Sequence, residues 1–226
     1  MPPDTRARQK SRPALLLIFT VLTLLTTRSA LPRPWRIYTF VEGRLTPISA
    51  LPSDERERLA SLPPVTSAPV LPVPIAGEVT AATLADVTHD GSPEWVAVIW
   101  RPWQDWPIQA WVPVPSPIET FRDADGESCH LVLLDPVDGR ERWAGSALPA
   151  PVIALAVGDV TGDGKNEVVT LEGDYTKGRY GPASHVNIWR WNGFGFTLIG
   201  RSERGCFSQL WLIHLTPEEG MESVAR

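Results

Sequence analysis

The sequence predicts an all-β fold of short antiparallel strands, and three observations carry that prediction. There are 23 prolines in 226 residues, and each removes a backbone donor and obstructs the preceding helical turn. One strand–turn–strand unit occurs twice, with its first aspartates, Asp86 and Asp159, 73 residues apart. Stretches of apolar alternation are punctuated by Asp-Gly and Asn-Gly pairs, the strongest short-range hairpin signal.

Residues 1–30 read as an export segment. Arg6, Arg8, Lys10 and Arg12 form a basic flank, and Ala14 to Leu25 is an apolar run broken only by threonines. The run is shorter than the roughly 20 residues that span a bilayer, and a basic flank with a short core matches a secretory signal. Three outcomes stand: removal after Ser29, which uses the small Thr27, retention as an N-terminal membrane anchor, or a cytoplasmic protein with an accidental apolar start. The first two, which the basic flank favours, place the protein outside the cytoplasm, as a secreted, periplasmic or cell-surface molecule. Residues 31–50 predict a hairpin, WRIYTFVEGRLTPI turning at Glu42-Gly43. Residues 51–74, rich in proline, serine and charge and without a period, predict a linker. Residues 75–215 hold the repeats, and 216–226 form a tail.

The two copies are EVTAATLADVTHDGSPEWVAVIW from Glu78 and PVIALAVGDVTGDGKNEVVTLEG from Pro151. They match without a gap at Asp, Val, Thr, Asp, Gly and Glu, and such self-similarity marks a repeat architecture. LVLLDPVDGRERW (131–143) and VNIWRWNGFGFTLI (186–199) add a hairpin after each copy. Cys206 to Leu215 resembles the opening strand of a further unit without its turn. The chain thus starts with the end of a unit and stops after the start of one. Pairing of the 206–215 strand with the N-terminal hairpin would join the two ends in one sheet. An open arc, or assembly with other chains into a larger ring, would serve the same need.

The turns are acidic in a patterned way. Asp159, Thr161, Asp163 and Glu167 occupy positions 1, 3, 5 and 9 of the second, and Asp86, Thr88, Asp90 and Glu94 those of the first. A hard cation takes six to eight oxygens at about 2.3–2.6 Å. Oxygens at positions 1, 3 and 5 of a tight loop can meet at one point, and a carboxylate at position 9 can close the shell. Glycine at position 6 permits the positive φ of the bend. The backbone carbonyls of Lys165 and Ser92, at position 7, complete each predicted set. The loops are not EF-hands: position 12 is Thr170 or Ala97, and strand-like sequence follows where a helix would be needed. The alternative is a pair of Asp-Gly turns with solvated acids.

DVTGDGKNE followed by a strand resembles the cation loop of FG-GAP/VCBS repeats, the calcium-binding blades of integrin-α-like propellers and many bacterial surface proteins. LDPVDGRERW is similar to the hairpins between such loops and to quinoprotein-type blades. The resemblance covers about 75–215. It implies β-propeller-like repeats, about three blades here, with Ca²⁺ in the acidic loops and a surface for a protein or glycan partner.

The remaining features narrow the function. A net charge of −5 gives no basic face for nucleic acid. No nucleophile elbow, phosphate loop or dinucleotide fingerprint occurs, and the four histidines lack zinc spacing. The expectation is a binding or scaffold module rather than an enzyme. The second reading is an exported enzyme subunit or quinoprotein-like domain. Cys129 and Cys206 leave open a disulfide or two separate thiols. Of the clustered tryptophans, Trp95 and Trp100 predict packing, while Trp103 and Trp106 are the candidates for a binding face.

Overall fold

A computed structural model describes residues 15–19, 36–48, 57, 71, 75–111 and 114–213. The expected cleavage site, nearly all of the 51–74 linker and the 216–226 tail lie outside the described residues. The fold is all-β, with twelve described strands in three four-stranded antiparallel sheets.

The first sheet runs in chain order through β4 (Glu78–Ala85), β5 (Glu94–Pro102), β6 (Glu127–Leu134) and β7 (Glu141–Ala144). The second repeats that order in β8 (Val152–Gly158), β9 (Glu167–Glu172), β10 (His185–Trp191) and β11 (Phe196–Arg201). Each copy's first strand carries a bulge at the same place, between Val79 and Ala81 and between Val152 and Ala154. The repeat therefore extends to backbone irregularity, which is characteristic of a shared structural unit.

The third sheet is assembled from both chain ends, in the order β12 (Gln209–Ile213), β1 (Leu15–Phe19), β2 (Arg36–Val41) and β3 (Arg44–Ile48). The N-terminal hairpin and the C-terminal strand thus share a sheet without touching edge to edge. Leu15–Phe19, inside the run expected to serve export, pairs with β12 on one side and β2 on the other. A short apolar run without a period suits a buried strand as well as a signal core. No helix among the described residues is long and apolar enough to cross a membrane.

Two core layers separate the sheets. β5 is buried on both faces, which is why EWVAVIW reads as a continuous apolar run rather than an alternation. Val96, Val98 and Trp100 face the second sheet with Leu131 and Leu133 of β6. Ala97 and Ile99 face away, where Leu71 and Ile75 help to cover them. On the other side of the second sheet, Val169, Leu171, Val186 and Ile188 pack against Tyr38 and Leu210 of the third and against Phe207 just ahead of β12. The first strands lie next to one another, β4 against β8 and β8 against β12. A backbone bridge between Ala183 and Phe207 also ties the second sheet to the approach of β12.

Arg179 clasps the first two sheets together. From the loop after β9 it pairs with Glu78, Asp123 and Glu127, and its guanidinium lies 4.7 Å from the Trp100 ring centroid. Cys129 and Cys206 form no disulfide. Cys129 is buried beneath Val152, whose amide points at its Sγ, and burial pushes its thiol up to about 12, whereas Cys206 is at the surface.

His130 and His185 are both held below their ordinary value of 6.5, chiefly by burial. A histidine depressed in the folded state favours folding fully above its unfolded value and loses that contribution as pH falls through the folded one. The urea midpoint should therefore fall between about pH 7 and about pH 5. His130 holds Gly145 O at 3.0 Å and Ser128 Oγ at 2.8 Å. His130→Gln, which keeps a donor and an acceptor, should flatten part of that fall; an unchanged slope would exclude His130 as its source.

Candidate metal centre

Both acidic turns sit at the same end of their sheets, between the first and second strands, and are built alike. The valine at position 2, Val87 or Val160, is buried in a core layer and anchors the loop. Position 6 has positive φ in both, +89° at Gly91 and +85° at Gly164, so glycine is required there. Position 4 is left-handed too, at Gly162 (+74°) and at His89 (+61°), an uncommon state for a residue with a side chain. His89 is half-buried and its Nε2 has no hydrogen-bond partner among the described residues.

The first aspartates organise the loops through amides. Asp86 accepts from His89 N at 2.6 Å and Gly91 N at 3.0 Å. Asp159 accepts from Gly162 N at 2.6 Å, Asp163 N at 3.2 Å and Gly164 N at 2.8 Å. The glutamates at position 9 are fully buried. Glu94 accepts from Val87 N at 3.2 Å and Thr88 Oγ1 at 2.5 Å; Glu167 accepts from Val160 N at 3.1 Å and Thr161 Oγ1 at 3.3 Å. Ser92 and Lys165 are exposed, and their amides cap the carboxylates of Asp90 and Asp163. The loops also touch, since Asn166 Nδ2 donates to Asp86 O at 2.9 Å.

They differ in what neutralises them. In the second loop, Arg190 of β10 donates to Glu167 at 2.7 Å, to Asp163 at 3.0 Å and to Thr161 Oγ1 at 3.0 Å. Its guanidinium thus meets the oxygens of positions 3, 5 and 9. The hydrogen bond to Glu167 raises the arginine further above its ordinary range. The pairing of Trp189 with Val168 puts Arg190 next in line opposite Glu167. In the first sheet Trp95 pairs with Leu134, so the residue next in line opposite Glu94 is Asp135, of opposite charge. Arg142 binds Asp135 at 2.9 Å but stays 3.7 Å from Glu94, and the Val137 amide, with Arg142 second, holds Asp135 below the ordinary carboxylate range.

The first loop consequently gathers Asp86, Asp90 and Glu94, one carboxylate oxygen of each lying within 4.8 Å of the others. With the Thr88 hydroxyl these are hard oxygen donors, which suit Ca²⁺ or Mg²⁺ rather than a thiophilic metal. The sequence patterning located both loops but missed Arg190, Asp135 and Asn166. A single charge within the aromatic strand VNIWRW was the available signal for Arg190.

The tryptophans divide. Trp100 is fully buried and Trp95 half-buried. Trp103 donates to Ile118 O at 3.0 Å with Arg122 over its ring, which fixes it within its own loop. Trp106 is half-buried and Trp111 is 85% exposed. No family model, curated protein or solved structure matches the chain.

Proposed function

We propose that the chain is an exported, calcium-binding module of β-propeller type that displays a surface for a protein or glycan partner. Three four-stranded antiparallel sheets set first strand to first strand support the architecture. The observation that carries the metal reading is the contrast between the loops. Two turns of one design have solved like-charge repulsion differently, the second with Arg190 and the first, among the described residues, with no hydrogen-bonded cation on Glu94. Ca²⁺ would be held by Asp86, Asp90 and Glu94, with Thr88 and a backbone carbonyl of the loop, and the second loop would hold none while Arg190 is present.

The ion would act as a staple between the first two strands of its sheet. With a dissociation constant near 10⁻⁴ M, typical of extracellular modules, about 1 mM calcium adds roughly 1.4 kcal/mol. That corresponds to a rise in melting midpoint of about 3–6 °C for a chain of this size. Asp90 is exposed, so Asp90→Ala should erase the rise while leaving the chelated protein folded. An identical wild-type midpoint in calcium and in chelator would overturn the calcium reading.

A further inference from the structure

At the end of the first sheet away from the acidic loops, a cleft of about 500 Å³ opens between the close of β5, the loop that follows it and residues 146–147. Its lining includes Trp106, one of the two tryptophans expected to form a binding face, together with Arg101, Gln104 and Asp105. The loop that carries three of these is stapled in place. Trp103 N donates to Gly126 O at 2.9 Å, Trp103 Nε1 donates to Ile118 O at 3.0 Å, and Ser116 Oγ donates to Asp105 Oδ1. The Trp106 amide donates to the same Asp105 oxygen at 2.8 Å, which ties the ring-bearing residue to the carboxylate. A wall held in this way has little freedom left to lose on binding.

The polar groups of the cleft are only partly used. Arg101 donates from Nε to Ala76 O at 3.1 Å and from Nη2 to Glu141, so its plane is fixed, yet its Nη1 has no hydrogen-bond partner among the described residues. Among the same residues Asp105 Oδ2 has none, and neither has the exposed Gln104 amide. His130 also lines the cleft, but Gly145 O and Ser128 Oγ engage both of its ring nitrogens, so it serves as wall. Beside an aromatic ring the site therefore offers a fixed donor fork, a free acceptor and an amide that is both. Charge narrows the ligand further. Glu141 balances Arg101, and Asp105 adds one negative charge that disfavours an anion, while the guanidinium in the same wall disfavours a cation.

We propose that this cleft binds a neutral pyranose sugar, with a C–H face of the ring against Trp106 and adjacent hydroxyls shared among Arg101, Gln104 and Asp105. A hydroxyl both donates and accepts, so a pair of neighbouring hydroxyls answers the carboxylate and the guanidinium at once. The volume lies within the roughly 300–1,000 Å³ of small-molecule sites. The proposal rests on the glycan branch of the function proposed above and does not depend on calcium.

The test is saturation-transfer NMR titration of the full chain, in chelator, with methyl β-D-glucopyranoside, methyl β-D-galactopyranoside and methyl α-D-mannopyranoside. Cyclohexanol, a ring with one hydroxyl, and glucuronic acid, an anionic pyranose, are the controls. At least one pyranoside should saturate with a Kd on the order of 10⁻³ M, its strongest signals coming from the C–H protons of one ring face. Both controls should bind about tenfold more weakly. Gln104→Ala should weaken the sugar about threefold to tenfold, and Ser146→Trp, which fills the cleft from its rim, should abolish binding. Both positions are exposed, so the fold is kept. No saturable binding of any of the three pyranosides, equal binding of cyclohexanol, or binding that survives Ser146→Trp would overturn the proposal. Because chelator is present throughout, a chain that binds a pyranoside yet melts identically with and without calcium keeps this site and loses the metal reading; the converse result does the opposite.

Discussion

Replacing Arg190 with methionine should destabilise the calcium-free protein by ~2–3 kcal/mol, and millimolar calcium should restore most of the loss. The buried Glu167 carboxylate has no exposed surface, and Arg190 is the cation hydrogen-bonded to it. Removing one partner of a fully buried pair costs about 3–5 kcal/mol because the other charge is stranded. Arg190 is 36% exposed, so water already screens part of the interaction and the lower range applies. The midpoint should drop on the order of 5–10 °C. Calcium then has a vacated loop whose Asp159, Thr161, Asp163 and Glu167 follow the design of the first. The variant should therefore bind one more calcium than the wild type, read by titration beside the melt. A loss below about 0.5 kcal/mol, or a calcium response no larger than that of the wild type, would show that Arg190 is not the internal substitute for a metal.

Trp100→Ala should cost more, ~3–5 kcal/mol, and bring the protein near unfolding at room temperature. Trp100 is fully buried, stacked between the Arg179 guanidinium and an edge-to-face Tyr175 at 5.7 Å. Tyr175 in turn donates to Leu148 O at 2.8 Å and accepts from Cys129 N at 3.2 Å, so the cavity would open beside a hydrogen-bonded pillar. Trp100→Phe makes the instructive comparison. It loses part of the ring but also removes an Nε1–H that has no partner among the described residues, so its net cost should be only about 1 kcal/mol. Combining it with Arg179→Met in a double-mutant cycle should give a coupling of about 0.5–1 kcal/mol. Equilibrium urea unfolding measures all of these, and additive effects at the two positions would exclude the stacking contact as a source of stability.

Much of this was legible in the residues, for reasons that can be located. The all-β class followed from proline density and from the gap-free repeat, because both constrain the backbone directly. The acidic loops followed from Asp at position 1 and Gly at position 6, a local arrangement that needs no tertiary information. Arg190 and Asp135 were not legible because they reach the loops through strand register, which depends on where β10 and β6 stop pairing. Leu15–Phe19 was not legible as a strand for another reason. Five apolar residues with a basic flank satisfy the requirements of an export signal and of a central strand equally well, and the partner of β1 on one side, Gln209–Ile213, lies far along the chain. The two cysteines could not be placed relative to one another from spacing, and one went to the interior while the other went to the surface.

The position of β1 bears on how the molecule comes into being. Synthesis runs from the N-terminus, so Leu15–Phe19 and the hairpin behind it emerge first, yet one flank of β1 stays open until Gln209–Ile213 leaves the ribosome. The two repeat sheets can close by local zippering in the interval, whereas the third depends on the most distant partners in the fold and should be the slowest to form. Whatever shields that waiting edge during translation governs the yield of the native protein. Clipping either terminus afterwards would loosen both together.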